Sequence, residues 1–217
     1  MIEFYFDFIS PYAYLAFQRI HALGGRHGRE VVLRPTLFAA LLNHWGQLGP
    51  AEIPPKREFV FKQVVRRARA IAVPLLPPPS HPFNPLLGLR VATLDQPRGR
   101  HRALVDCLFR ATWGGGEGIE SPQTTISALD SAGFEGEAMV AAALAPDNKR
   151  RLLEAGEAAI ARGVFGVPTM IADGELFFGD DSLQELEGFL RGEDPIDAAL
   201  VERWRGLPVG ASRRRPS

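Results

Sequence analysis

The stretch Ile2-Glu3-Phe4-Tyr5-Phe6-Asp7-Phe8-Ile9-Ser10-Pro11-Tyr12-Ala13-Tyr14-Leu15-Ala16 reads as a strand, a sharp turn and a helix. Ile2, Phe4 and Phe6 alternate with Glu3, Tyr5 and Asp7, and the aromatic content favours extended structure. Ser10 is a residue type that caps helices, and Pro11 suits the first helical position, where a missing N–H leaves no bond unmade. Tyr12, Leu15, Ala16, Ile20 and Leu23 then recur at helical spacing until Gly24-Gly25. A hydroxyl therefore stands where a strand hands over to a helix, beside N–H groups and a dipole end that favour negative charge. Two readings of Ser10 are open here: a helix cap alone, or a group that also faces an anion.

Working outward, Val31-Val32-Leu33-Arg34-Pro35-Thr36 is a second strand, and strand–helix–strand implies a right-handed crossover to a parallel neighbour. Strand signals then vanish from about Leu37 to about Pro146. Apolar residues recur there at helical spacing: Val60, Val64, Ala68, Ile71; Leu87, Val91, Leu94; Leu104, Leu108, Ala111; and Met139, Val140, Ala143, Leu144. Ser121-Pro122 repeats the cap-plus-proline start of Ser10-Pro11. Leu42 to Pro55, and Pro74 to Pro85 with its six prolines, read as ordered loops fit to border a pocket. Trp113-Gly114-Gly115-Gly116-Glu117-Gly118 lacks the Lys-Ser/Thr of a phosphate loop and reads as a turn.

A helix is expected from a cap at Asp147 through Leu152, Leu153, Ala159 and Ile160. After Gly163-Val164-Phe165-Gly166-Val167-Pro168 come two short strands, Thr169 to Ala172 and Leu176 to Phe178, joined by the hairpin pair Asp173-Gly174. Leu183, Leu186, Phe189 and Leu190 mark a last helix, capped by Asp181 or Ser182 with Gln184 or Glu185 completing a capping box. The order is β-α-β, helical insertion, α-β-β-α. It implies an α/β chain: a thioredoxin-like domain over residues 1–37 and 147–205, with an all-helical insertion over 38–146 after the second strand. Residues 206–217, with Arg213-Arg214-Arg215, read as a solvated, mobile basic tail.

Twenty-five basic against twenty-five acidic side chains leave no net field, which argues against nucleic acid or an anionic membrane as partner. No signal peptide or membrane-length apolar run is evident, so the cytoplasm is the expected location. The five histidines form no HxxxH or HExxH pair, and no metal is expected. Cys107, the single cysteine, excludes an intrachain disulfide or a CxxC motif, and its place in an apolar helical pattern makes a buried, inert thiol the expectation.

Asp7 to Ala16, Phe165-Gly166-Val167-Pro168-Thr169 and Phe178-Gly179-Asp180-Asp181 resemble the motifs of 2-hydroxychromene-2-carboxylate isomerases. That family is related to kappa-class glutathione transferases and to the disulfide-oxidoreductase A group. The resemblance runs over nearly the whole chain and implies the thioredoxin-like fold, a cis Val167-Pro168 bond facing Ser10, and glutathione as cofactor. The four positions that hold Cys-x-x-Cys in thioredoxin-like oxidoreductases are here Ser10-Pro11-Tyr12-Ala13, so the thiol is expected from the ligand. By the same resemblance Ser10 is the catalytic residue that hydrogen-bonds the glutathione sulfur. Val167, beside Pro168, offers its backbone to the cysteinyl unit, and Asp180 and Asp181 hold the γ-glutamyl end. Tyr12, Lys56 and Asn84 are the substrate-side candidates, Lys56 as an anion partner. The Asn43 to Gly49 segment departs from that family's usual Gly-Asn loop.

The implied reaction interconverts 2-hydroxychromene-2-carboxylate and trans-o-hydroxybenzylidenepyruvate by reversible thiolate addition, on a small aromatic or electrophilic substrate. Kappa-like conjugation or peroxide reduction, and a non-catalytic binding module, are the alternatives. A homodimer is what the relatives suggest. A free thiol near pKa 8.5 is only a few per cent thiolate at neutral pH, and lowering it by about two units takes about 2.7 kcal/mol of preferential anion stabilisation. A hydroxyl donor together with a helix N-terminus is of the right strength.

Overall fold

The computed structural model describes residues 1–97 and 99–211, so the Arg213–Arg215 run lies outside the described residues. Four strands, β1 (Ile2–Phe6), β2 (Val31–Pro35), β3 (Thr169–Ala172) and β4 (Glu175–Phe178), form one sheet in the order β2-β1-β3-β4. β1 pairs parallel with β2, opposite the crossover helix α1 (Pro11–Arg26), and antiparallel with β3. β3 and β4 are a hairpin whose turn residues Asp173 and Gly174 both have positive φ, 50° and 93°, as a type I′ turn requires. This is the thioredoxin-like arrangement expected from the order of elements.

Between β2 and β3 run α2 (Phe38–Trp45), α3 (Pro54–Ala70), α4 (Leu86–Ala92), α5 (Arg100–Trp113), α6 (Pro122–Ser131), α7 (Gly136–Leu144) and α8 (Pro146–Ala161). α3 to α8 share a buried cluster with the sheet, in which Phe4, Phe6 and Phe8 meet Phe17 of α1 and Phe109 of α5, the Phe8 and Phe109 rings lying 4.8 Å apart, while Leu41 of α2 packs in a second cluster with Tyr5 and Ile171. All of these phenylalanines are at most 3% exposed, and burying each such side chain stabilises the fold by about 1.5–3 kcal/mol. The chain then continues through α9 (Leu183–Leu190) to α10 (Ala198–Arg205).

Several local expectations change. Residues 42–45 are helical, because Phe38, Leu41, Leu42 and Trp45 share one face, and Gly46 ends α2 at φ 61°. α8 starts on Pro146 with its cap at Ala145, two residues before the expected Asp147, which pairs with Arg150 in the first turn instead. α9 has no capping box: the Ser182 hydroxyl donates to Phe178 O at 2.8 Å, and Asp181 is taken by Arg67. α10 had no counterpart in the sequence reading, and its apolar Leu200 and Trp204 stay exposed. No described helix is long and apolar enough to cross a membrane.

Candidate active site

Ser10 caps α1 and does more than cap it. Its backbone is extended (φ −93°, ψ 112°), its Oγ accepts the Ala13 N–H at 3.1 Å, and its hydroxyl donates to Val167 O at 3.4 Å. The Val167-Pro168 bond is cis and lies against the start of α1. Among the described residues, the N–H groups of Tyr12 and Val167 donate to nothing. Ser10, Tyr12 and Val167, which carry a hydroxyl and two free backbone donors, all line one cavity at the positive end of α1.

The turn before Ser10 is pinned from several elements. The Asp7 carboxylate accepts Ile9 N–H at 3.1 Å and Phe38 N–H of α2 at 2.8 Å, while Asp7 O accepts Ser10 N–H at 3.1 Å. Trp113 Nε1 at the end of α5 donates to Phe8 O at 2.8 Å. His81 Nε2, from the proline-rich segment, meets Ile9 O at 3.1 Å. Asp7 is fully buried, and burial pushes its carboxyl up to about 7 against the pull of the backbone N–H groups it accepts.

Above Ser10 opens a cavity of about 610 Å³, within the usual range for small-ligand sites. Its walls are mainly apolar: Leu37, Phe38 and Leu42 around α2, Phe59 and Phe61 from α3, Phe83, and Phe178 from β4. Charge enters from α3, where Lys56, Val60, Gln63 and Arg67 follow one another at intervals of about one turn and all line the cavity.

Arg67 ties this wall to the loop before α9. One guanidinium nitrogen bonds the Asp180 carboxylate and the other reaches Asp181 Oδ2 at 3.1 Å, with the guanidinium carbon 5.2 Å from the centre of the Tyr12 ring. Asp180 is buried and also takes Arg19 at 3.2 Å; the Asp181 side chain is 68% exposed. Burial raises the Asp180 carboxyl above its ordinary value, and the two arginines counter it. The Tyr12 hydroxyl bonds Gln63 Oε1, and burial raises its pKa.

A family model for the DSBA-like thioredoxin domain matches residues 1–191. The chain belongs to that family. A 2-hydroxychromene-2-carboxylate isomerase of Pseudomonas putida is 30% identical over 192 residues, covering 86% of this chain and 92% of its own. Glutathione S-transferase kappa 1 of Rattus norvegicus is 26% identical over 221 residues, covering 94% and 97%. A solved 2-hydroxychromene-2-carboxylate isomerase structure superposes with a TM-score of 0.81 at 25% identity, over 95% of this chain and 98% of that one.

In this DSBA-like domain the residues singled out from sequence separate into two groups. Ser10, Tyr12, Lys56, Val167, Pro168, Asp180 and Asp181 all line the one cavity. Asn84 does not: it is exposed, and its Oδ1 accepts Leu86 N–H at 3.0 Å as a local cap for α4. Its place in an Asn-Pro pair before a helix favours that local bond over a pocket role. Asp180 sits at the site with its carboxylate already paired to two arginines, which leaves Asp181 as the accessible acid of the two.

Arg67, Gln63 and His81 are cavity residues that the sequence reading passed over. The spacing of Lys56, Val60, Gln63 and Arg67 was the available signal for the first two. Cys107 stands away from this cavity on α5, its thiol pushed up to about 12 chiefly by burial and its S–H donating to Leu104 O. No cluster of potential metal ligands occurs among the described residues.

Proposed function

We propose that this protein is a glutathione-dependent isomerase. Its reaction is the interconversion of 2-hydroxychromene-2-carboxylate and trans-o-hydroxybenzylidenepyruvate, or of a closely related aromatic catabolite. The observation that carries the reading is a hydroxyl, in place of a thiol, at the N-terminus of α1 beneath an apolar cavity. The names of the relatives point the same way.

The residues present fit glutathione. The Ser10 hydroxyl and the unpaired Tyr12 N–H suit a thiolate, because both donate and both sit at the positive end of α1. The unpaired Val167 N–H suits a peptide carbonyl. The α-carboxylate and ammonium of a γ-glutamyl head match the adjacent Arg67 and Asp181 in sign. Lys56 faces the same cavity as an anion partner. Bound glutathione supplies a nucleophilic sulfur that adds reversibly to a conjugated ene-one, so that the former double bond can rotate before the sulfur leaves.

In that cycle Ser10 holds the sulfur in its anionic form without bonding to it covalently. The apolar walls exclude water and strengthen each of these charge interactions. The substrate ring packs on the phenylalanines, and its carboxylate is drawn to Lys56. The cytoplasm, rich in reduced glutathione, is the compartment this chemistry needs.

The test is the ultraviolet spectrum of 2-hydroxychromene-2-carboxylate mixed with purified protein, with and without glutathione. Conversion is expected only with both present. An unchanged spectrum, with turnover of an electrophilic halo-arene by the same preparation, makes the protein a kappa-like transferase. No turnover of either leaves only a binding role.

A further inference from the structure

The setting of Ser10 is decided by the peptide plane in front of it. The Ile9–Ser10 peptide is gripped on both edges, its N–H by Asp7 O and its C=O by the His81 imidazole, each at 3.1 Å. A carbonyl oxygen only accepts, so Nε2 of His81 carries the proton and Nδ1 is left with a lone pair. Nδ1 is buried and has no partner among the described residues. The ring lies among Phe61, Phe83 and Trp113, with centroid distances of 5.3, 6.4 and 5.6 Å. A phenylalanine would fill this aromatic surround without stranding a nitrogen. A histidine there, with half of its hydrogen-bonding capacity unmet, costs stability relative to phenylalanine, and what it adds is the Nε2–H donor.

That donor acts next door, at Ile9. An unpaired Ile9 carbonyl beside Ser10 would set the negative end of a peptide dipole against any anion bound at the start of α1. We infer that His81 is a positioning residue: by holding the Ile9 carbonyl through Nε2–H, it leaves the Ser10 hydroxyl and the α1 N–H groups to act on the bound thiol unopposed. This inference rests on the thiolate reading above and adds the residue that makes Ser10 effective. The ionisable groups around the turn are Asp7 beneath it and Arg57, whose guanidinium donates to His81 O at 2.6 Å. Burial holds the imidazole below its ordinary pKa, so it stays neutral across the range in which a thiol titrates.

The experiment is an ultraviolet titration of the thiolate of bound glutathione in wild type, His81→Phe and His81→Gln, with the pH profile of turnover alongside. His81→Phe suits the aromatic surround and is expected to keep Tm within a few degrees. Its bound thiol should titrate about one unit higher, an about tenfold loss of thiolate at neutral pH. Turnover should fall in step at neutral pH, recover on the alkaline side, and leave KM for the electrophile unchanged. His81→Gln places an amide N–H near the position of Nε2 and should restore most of the shift. A His81→Phe protein whose bound thiol titrates like wild type overturns the inference, as does a folded His81→Gln protein no better than His81→Phe. A wild type whose bound glutathione titrates as the free tripeptide does removes the thiolate reading itself, and this inference with it.

Discussion

The Ser10 hydroxyl donates to the Val167 carbonyl oxygen at 3.4 Å, joining two residues 157 positions apart in the chain. At that length the bond is weak for an O–H donor, so the hydroxyl is readily redirected to a better acceptor. An anion lodged between α1 and the Val167-Pro168 loop is such an acceptor, and charge-assisted bonds are roughly twice as strong as neutral ones.

Capping and anion binding at Ser10 can be separated by substitution. Ser10→Asp keeps a strong cap for α1, which offsets part of the cost of facing Val167 O without a donor, and should fold with a modestly lowered Tm. Its carboxylate opposes a thiolate, so calorimetry at pH 8 should find glutathione affinity reduced by at least about tenfold. Ser10→Ala should lose about 1 kcal/mol of stability with the cap. Undiminished glutathione binding by Ser10→Asp would show that the hydroxyl faces no anion.

Arg67→Met leaves Asp180 with Arg19 alone. A buried carboxylate deprived of a partner destabilises, here by about 1–3 kcal/mol because Arg19 still answers part of the charge. The Asp180 carboxyl is already raised by burial and rises further in the variant. A carboxyl raised on folding binds its proton more tightly in the folded state, so the penalty should be small near pH 4 and grow toward neutral pH. Urea denaturation at the two pH values checks this; an equal penalty at both refutes it.

Asp7 should leave its mark on the pH dependence of stability. Its folded pKa of about 7 lies above the unfolded value, so its contribution is greatest below about pH 4 and declines as pH rises to about 7. In Asp7→Asn that part of the slope should vanish, at the cost of a weakened tie to Phe38 N–H. Parallel slopes for the two proteins between pH 4 and 7 would contradict the assignment.

Gly88 tests the packing under the site. A Cβ there would stand 2.5 Å from Ile119 Cδ1 and 3.2 Å from Phe8 Cδ2, both in fully buried side chains. Gly88→Ala should therefore destabilise by about 1–3 kcal/mol, read as a lowered urea midpoint. Stability equal to wild type would mean that α4 shifts freely against Phe8.

Cys107 should be silent to thiol reagents at neutral pH until the protein unfolds, since the thiolate is the reactive form and this thiol is pushed up to about 12. Rapid labelling of native protein by a maleimide would contradict that. The silence is also useful: a thiol titrating near neutrality in the complex belongs to the ligand.

What could be read from the sequence was whatever local chemistry settles. Ser10-Pro11 announces a helix start and Asp173-Gly174 a tight hairpin, because cap and turn each act within a few residues. The families came from three short motifs with the right order. Hidden from it were the partners chosen at long range. Arg67 is one of several arginines on an outwardly ordinary helix until Asp180 and Asp181 are brought across to it. His81 lies in a proline-rich stretch with no periodicity, and nothing near it names Ile9. Asn84 erred in the other direction: a motif match pointed inward, and the nearest free N–H decided otherwise.

The turn that presents Ser10 is held by Phe38, His81 and Trp113, all from the chain between β2 and β3, and faces Val167 beyond them. β1 likewise lies inside the sheet, between β2 and β3. During synthesis, then, the serine is made early and its surroundings arrive last. Until the Val167 loop has left the ribosome, β1 has one flank open and the cavity lacks the part of its lining that Val167 and Pro168 supply. A nascent chain stalled anywhere before that loop carries the serine without the site, so no product truncated ahead of Val167 should bind the ligand that the intact chain does.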